Sequence, residues 1–316
     1  NAYTALDDAT VPASVSRKIV TGLLREELGF EGVITTDSIS MLGLLNYAGD
    51  HANATVMALE AGNDIVLIKE DELTTTRCFQ AVTEAVKEGR LTEQRLEESI
   101  RRILRLKIAI GILDDPLPDP ETADERVRNP ENAAMCRKAH HAAALVARDR
   151  EGLLPLDPSE RVFVVEEYIP DYHVKANDKY CHAGMFGEAM RSHTDRMIYQ
   201  ETNTPADDED IRRFRERLPL ADTVVFYNTF WRGSGSNRPL IRESIKAGKK
   251  VIVAGNDAYD SYFLPALGTF ICTFSAMPEG LRTAADIIYG KVNPGGRWPL
   301  RAVSAEDQAP EDQDVD

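Results

Sequence analysis

Apolar residues in the first third of the chain recur at helical spacing, and two short aliphatic runs interrupt that spacing. Helices are predicted at about residues 12–28, 52–60, 73–88 and 93–112, and strands at 33–36 and 65–68. Run 65–68 contains no polar residue, which is typical of a parallel strand buried on both faces. The last helix carries an apolar stripe of Ile100, Ile103, Leu104, Ile108 and Ile112. The alternation indicates a parallel sheet, but two strands cannot complete a core.

The second half of the chain alternates in the same way. Strands are predicted at about residues 161–166, 194–200, 223–227, 250–254 and 271–274. Helices are predicted at about residues 131–148, 184–193, 207–217, 239–247 and 280–289. Residues 113–130, rich in proline and acid, are a predicted linker, and residues 303–316 are a predicted acidic, disordered tail. Residues 131–302 are therefore predicted to form a separate α/β sandwich.

Composition excludes several classes of protein. The 316 residues suffice for about two domains, and the net charge of −15 leaves no basic stripe for nucleic acid. No apolar run approaches the roughly 20 residues needed to span a bilayer. The chain opens at Asn1 with no visible leader, so we expect a processed or truncated chain, either cytoplasmic or secreted. Four widely spaced cysteines predict reduced thiols, with no metal cluster and no disulfide framework; they are Cys78, Cys136, Cys181 and Cys272.

The strongest candidate for chemistry is Asp37, which follows the first predicted strand. Ligands gather at the carboxyl ends of parallel strands, so a carboxylate there can be a nucleophile or an ion ligand. Aspartate is also a good helix N-cap, and a structural role is equally open. A phospho-accepting aspartate of a receiver domain is disfavoured. Such a domain has a strand before its acidic pair, and residues 1–6 are too short for a strand before Asp7 and Asp8. It also has a lysine after a later strand, and Lys69 comes too early in the chain for that role.

Other candidate sites have simpler explanations. The six histidines lack metal-ligand spacing and are interpreted as solvated or core residues; they are His51, His140, His141, His173, His182 and His193. Loop 231–237 lacks both the Walker pattern and the dinucleotide fingerprint, so a flexible turn is favoured and no cofactor is predicted. Glu166 and Glu167 end a predicted strand and could face a site, although an exposed acidic strand end is favoured.

Several stretches resemble glycoside hydrolase family 3. They are residues 12–16, residues 23–41 around Asp37, residues 58–67, residues 152–156 and the closing segment 293–300. Ser38 stands where the β-glucosidase branch usually has tryptophan. Ser40, Met41 and segment 256–260 are more similar to the two-domain β-N-acetylhexosaminidases. The Lys-His-Phe-Pro-Gly motif that accompanies the histidine–aspartate acid/base of that branch is absent from this chain.

The resemblance implies a fold and a mechanism. Residues 1–112 would be the last units of a TIM (β/α)8 barrel, with the earlier units in a missing N-terminal segment that acts as partner. Asp37 would be the nucleophile of a retaining hydrolysis, with its acid/base in that missing segment. Met41 could line the sugar pocket, although core packing is equally open.

The resulting hypothesis is a β-N-acetylglucosaminidase that acts on terminal sugars of peptidoglycan or chitin fragments, and whose 316-residue portion alone is nearly inactive. The alternatives are a β-glucosidase-type enzyme and a non-catalytic carbohydrate-binding or scaffold protein, and the choice between hydrolysis and phosphorolysis stays open.

Overall fold

The structure is a computed structural model that describes residues 2–117, 119–127, 129–169, 182–229, 237–257 and 264–298. The predicted tail, most of loop 231–237, His173 and Cys181 lie outside these residues. The chain divides into two compact units, Asn1–Ala123 and Asp124–Asp316. The division falls inside the predicted linker, which contains an unpredicted helix, Pro120–Val127.

The first unit begins with a 3-10 turn at Ala13–Val15 and a π-helix at Lys18–Glu27. Its two strands are β1 (Thr35–Ser38) and β2 (Ile65–Leu67), which pair in parallel. Its α-helices are α1 (Leu42–Ala48), α2 (His51–Ala61), α3 (Glu72–Lys87) and α4 (Glu93–Ala109). The next helix, α5 (Pro120–Val127), contains the division between the two units.

Local sequence explains where these helices begin and end. The side chains of Asp50, Asp71 and Thr92 accept the N–H of the residue three positions on and thereby cap α2, α3 and α4. After the π-helix, Gly29 has a φ of +66°, the left-handed conformation that glycine adopts freely.

The apolar surface of this unit is only partly covered. Ile65 is 39% and Leu67 49% exposed, so the prediction that β2 is buried on both faces is wrong. The predicted apolar stripe is largely exposed as well, at Ile100, Leu104 and Ile108 on α4 and at Ile112 after the helix ends. β1 and β2 form a two-stranded sheet, and a sheet of that size leaves apolar side chains without a neighbour.

The second unit contains a six-stranded sheet. Its strands are β3 (Leu145–Asp149), β4 (Val162–Tyr168), β5 (Met197–Asn203), β6 (Thr223–Asn228), β7 (Lys250–Gly255) and β8 (Thr269–Cys272). Their spatial order is β3-β8-β7-β6-β4-β5, and every pair is parallel except β3 with β8. The predicted α/β class with a mainly parallel sheet is confirmed, whereas the barrel assigned to residues 1–112 stays a prediction.

Helices cover both faces of this sheet. They are α6 (Pro130–Ala143), α7 (Met185–Arg191), α8 (Asp208–Arg217), α9 (Arg238–Lys246) and α10 (Pro278–Ile288). Along β4, Val162 and Val164 pack in a cluster with α7 and α10, while Phe163 and Val165 pack in a second cluster with α8 and α9. The first cluster also contains Ala144.

One helix is shorter than predicted. The alanine-rich pattern predicts a helix up to residue 148, but α6 ends at Ala143 and β3 follows directly. The side chains of Leu145 and Val146 pack against the two clusters, and tertiary burial overrides the local preference of the alanines for helix.

Candidate active site

Asp37 lies at the carboxyl end of β1 and faces solvent. The strand runs from Thr35 to Ser38, about two residues later than predicted, so Asp37 is inside the strand and not after it. Its Oδ1 accepts the backbone N–H of Ser38 at 2.6 Å. Within the described ranges, Oδ2 has no hydrogen-bond partner and is available to a ligand.

The register of β1 is irregular at this point. Thr35 pairs with Ile65 and Ser38 pairs with Leu67, so three steps along β1 match two steps along β2. One extra residue in a strand is the geometry of a β-bulge, a feature that recurs beside active sites. The buried hydroxyl of Thr36 accepts the backbone N–H of Leu67 at 3.0 Å inside this bulge.

The start of β1 is held by Asp64. Asp64 Oδ2 accepts the N–H of Ile34 at 3.0 Å, and the carbonyl of Ile34 accepts the N–H groups of Asp64 and Ile65 at 2.7 and 3.1 Å. Both backbone groups of the residue before the strand are therefore fixed, three residues before Asp37.

Asp64 is itself a buried ion-pair centre. Its carboxylate accepts hydrogen bonds from the guanidinium groups of Arg25 and Arg102, each at 2.9 Å, and from Ser99 Oγ at 2.6 Å. The guanidinium of Arg95 lies 3.6 Å away. Burial alone would raise the pKa of Asp64, but the hydrogen bonds from Ser99, Ile34 and Arg102 outweigh it and hold the pKa below its ordinary value. The ionised centre therefore provides a rigid support beneath β1.

The turn after Asp37 places Met41 on the surface. Met41 is 51% exposed and is the N-cap residue of α1, with an extended backbone. The carbonyl of Ser38, the last residue of β1, accepts the N–H of Met41 at 3.4 Å across a turn at residues 39–40. The exposed side chain does not pack in the core.

His51 and Glu70 form a polar pair in this unit. His51 Nε2 lies 3.6 Å from Glu70 Oε1, which is an ion-pair distance but too long for a hydrogen bond. Glu70 comes shortly after β2, and the carboxyl ends of parallel strands share one edge of a sheet. Sequence reasoning missed this pair, and the only available signal was the position of Glu70 after a strand.

Most other candidates have structural partners. His140 Nε2 lies 3.0 Å from Ser275 Oγ, and His193 Nε2 lies 2.9 Å from Asp286. Cys78 and Cys272 are buried and Cys136 is exposed, all as free thiols. Within the described residues there is no group of three or more acidic, histidine or cysteine side chains that could hold a metal ion. Among the described helices, none combines the length and apolarity required to cross a membrane.

Glu166 and Glu167 are buried, so the favoured prediction of an exposed strand end is wrong. β4 continues to Tyr168 and lies between β5 and β6, which leaves no exposed edge. Glu166 accepts the N–H groups of Phe186 and Gly187 at 3.1 and 3.0 Å, and the Tyr199 hydroxyl at 3.1 Å. Burial raises its pKa to about 7 against these hydrogen bonds.

Comparisons with known proteins find similar chains among glycoside hydrolases. The family pattern described as "Glycosyl hydrolase family 3 N terminal domain" matches residues 1–106. The "Beta-N-acetylglucosaminidase/beta-glucosidase" of Cellulomonas fimi is 22% identical over 317 residues, covering 94% of this chain and 54% of that protein. The "Probable beta-glucosidase C" of Aspergillus flavus is 32% identical over 162 residues, covering 48% of this chain and 25% of that protein.

A solved structure is similar over nearly the whole chain. It is a glycoside hydrolase family 3 beta-N-acetylglucosaminidase from Paenibacillus sp. str. FPU-7, with a TM-score of 0.77 and 24% sequence identity. The match covers 93% of this chain and 55% of that one. At this identity the likeness shows a shared fold. The chain spans between a quarter and about half of the length of these three relatives.

Proposed function

The chain belongs to glycoside hydrolase family 3, and on that premise we propose that it carries the nucleophile of a retaining β-N-acetylglucosaminidase. The substrate class is a β-linked N-acetylglucosamine at the end of a peptidoglycan or chitin-type fragment. The observation that supports this most is Asp37, an exposed carboxylate in a bulge at the carboxyl end of a parallel strand. The name of the C. fimi relative gives this activity together with β-glucosidase, so it is compatible with either sugar.

The geometry around Asp37 suits nucleophilic attack. The Ser38 N–H holds Oδ1, so Oδ2 can form the bond to the anomeric carbon while the glycosidic oxygen leaves with the aglycone. A second group must donate a proton to that leaving oxygen and later take one from water. We propose that this acid/base is supplied by a segment outside the chain, because the Lys-His-Phe-Pro-Gly motif that accompanies it in the β-N-acetylhexosaminidase branch is absent from this sequence.

A test of the nucleophile uses the full-length enzyme and an aryl N-acetyl-β-glucosaminide. We expect Asp37→Asn to lower kcat by about three orders of magnitude or more, because the amide is a poor nucleophile. Asp71→Asn is the matched control, since it removes a carboxylate that follows β2 while asparagine still caps α3. Wild-type turnover by Asp37→Asn would refute the nucleophile role, whereas no turnover by the wild-type enzyme would favour a non-catalytic carbohydrate-binding protein.

The β-glucosidase alternative has specific support from the A. flavus relative, which is the more identical of the two over the part that it matches. The two functions differ in whether the enzyme requires the 2-acetamido group. A kcat/KM at least about tenfold higher for the aryl N-acetylglucosaminide than for the aryl glucoside supports the first. The reverse order would replace it with the second.

We also propose that the first unit is the last part of a TIM barrel. Its exposed apolar side chains would pack against strand–helix units that are not part of this chain. Three observations support this: the two-stranded parallel sheet, the exposed faces of β2 and α4, and the half-length match to the relatives. We therefore expect the 316-residue chain alone to be nearly inactive in the aryl-glycoside assay. Robust hydrolysis by the isolated chain would contradict this assignment.

A further inference from the structure

The bulge in β1 depends on a side chain. Between the paired positions Thr35 and Ser38, β1 has one residue more than β2. Leu67 is the residue paired with Ser38, and its backbone N–H reaches back to Thr36 Oγ1 at 3.0 Å. Among the described residues, Thr36 is the only one in β1 whose side chain bonds across to β2. The hydroxyl thus provides an acceptor for a backbone donor at the point where the ladder is irregular.

Hydrogen bonds hold β1 on both sides of the bulge. Upstream, both backbone groups of Ile34 are bonded to residues 64 and 65, as described above. Downstream, the carbonyl of Leu67 accepts the N–H of Ile39 at 3.1 Å, and the Ile39 side chain is completely buried. Asp37 therefore lies in a span of four residues whose ends cannot shift, and the path between them is set by the bulge.

Loss of the Thr36 acceptor has a defined consequence. The N–H of Leu67 would lose its side-chain acceptor, and the irregular step of β1 could then relax toward a regular register. A change of one residue in register moves a side chain to the opposite face of the sheet. Asp37 is adjacent to Thr36, so even part of that movement displaces its carboxylate.

We propose that Thr36 is a positioning residue for Asp37: its hydroxyl stabilises the bulge that aims the carboxylate at the anomeric carbon. This rests on the proposed function, because it assumes that Asp37 attacks the sugar. The role is indirect, since the hydroxyl contacts the backbone of β2 and the Thr36 side chain is buried.

The test compares substitutions of Thr36 in the full-length enzyme. Thr36→Val keeps the shape and removes the oxygen, whereas Thr36→Ser keeps the oxygen and removes the methyl group. We expect Thr36→Val to lower kcat by about 10- to 100-fold with KM changed less than about threefold, because a displacement near 1 Å is that costly. We expect Thr36→Ser to stay within about threefold of wild type. If valine prevents folding, Thr36→Ala removes the same oxygen with less volume and replaces it in the comparison.

A chemical readout separates positioning from loss of structure. Azide can replace the missing carboxylate in Asp37→Ala by attacking the anomeric carbon and expelling the aryl oxide. We expect this azide-dependent turnover to be unchanged within about twofold when Thr36→Val is added, because the small anion needs no aiming by the bulge. An equal loss with azide would overturn the proposal, since it would mean that the whole pocket is damaged.

The remaining outcomes are also distinct. Wild-type kcat in Thr36→Val, or an equal defect in Thr36→Ser, would overturn the positioning role while leaving the nucleophile in place. Full activity in Asp37→Asn would instead overturn the proposed function itself. Loss in Thr36→Val and Thr36→Ala together with retention in Thr36→Ser supports the proposal.

Discussion

The two units of the chain bury their apolar residues to different extents. In the second unit, six strands are covered on both faces, and Phe163 and Phe226 are fully buried. In the first unit, two strands and their helices leave Phe79 74% exposed and Ile108 62% exposed. Both units have the same alternation of helix and strand along the sequence. The difference shows that this pattern predicts which face of an element is apolar, but not whether enough elements are present to cover it.

The largest expected effect comes from a matched pair of phenylalanines. Phe226→Ala empties a site in the packed cluster of the second unit, 6.1 Å from the ring of Phe214, and should cost about 3–5 kcal/mol of its stability. Phe79→Ala removes an exposed ring and should change the stability of the chain by less than about 0.5 kcal/mol. Urea unfolding of both variants, followed by circular dichroism, measures the difference.

An equal cost for the two substitutions would break the comparison. It would mean that Phe79 is buried in solution, for example by a second copy of the chain. Sedimentation of the wild type over a range of concentrations would then show an oligomer. A monomer with a small Phe79→Ala effect is the result that agrees with the structure.

The second prediction concerns the centre that supports β1. Asp64→Asn leaves Arg25 and Arg102 without a buried counter-charge and should cost the first unit about 2–4 kcal/mol. Because the folded pKa of Asp64 is lowered, its contribution is present above the ordinary aspartate pKa and is lost as the pH falls through the folded value. The variant should therefore be less sensitive to acid than the wild type. Unfolding at neutral pH and below pH 4 tests both statements.

The control for Asp64 is an exposed ion pair in the other unit. The Asp222 carboxylate accepts a hydrogen bond from the Arg161 guanidinium at 2.7 Å, but both side chains are about half exposed. Asp222→Asn should leave the free energy of unfolding nearly unchanged, because water screens such a pair. A loss as large as that of Asp64→Asn would show that burial does not distinguish the two pairs.

Local signals in the sequence predicted much of the second unit. Each strand from β4 to β8 was found within about three residues, because continuous aliphatic runs and acidic helix caps are local features. Asp37 was found for the same reason, since an acid at the end of such a run is visible in one stretch of sequence. β3 was missed because its alanines favour helix and its strand character depends on β8.

The features that support Asp37 could not be predicted in this way. The bulge at Thr36 is a relation between two strands, and nothing in residues 33–38 specifies the register of β2. The centre at Asp64 brings together arginines from positions 25, 95 and 102, each of which has the pattern of a surface residue. The prediction for Glu166 was wrong because two adjacent acidic residues are typical of a solvent-exposed position. In the structure, two backbone N–H groups of α7 donate hydrogen bonds to the buried Glu166 carboxylate.

The buried carboxylates of the two units differ in their counter-charge. Asp64 is surrounded by arginines, and its pKa is lowered. Glu166 has three neutral donors in place of a cation, and burial raises its pKa to about 7. The two units should therefore respond to pH in opposite directions, which leads to the third prediction.

Glu166→Gln should remove part of the pH dependence of the second unit. Between the ordinary glutamate pKa and about 7, the folded state holds a proton that the unfolded state releases, so wild-type stability falls as the pH rises through this window. We expect the difference in unfolding free energy between wild type and variant to change by about 1–3 kcal/mol from pH 5 to pH 8. Any cost of the amide group facing the Gly187 N–H is the same at both pH values, so it cancels.

Glu188→Gln, on the exposed side of the same helix, is the control and should leave the pH profile of stability as it is in the wild type. If the difference in unfolding free energy between Glu166→Gln and the wild type stays constant from pH 5 to pH 8, Glu166 is ionised over that whole range. The three donors would then outweigh burial, and the contrast with Asp64 would lie only in the type of donor. The expected result is that the variant becomes more stable relative to the wild type as the pH rises. It would show that a buried carboxyl group without a neighbouring cation stabilises this sheet only in its protonated form.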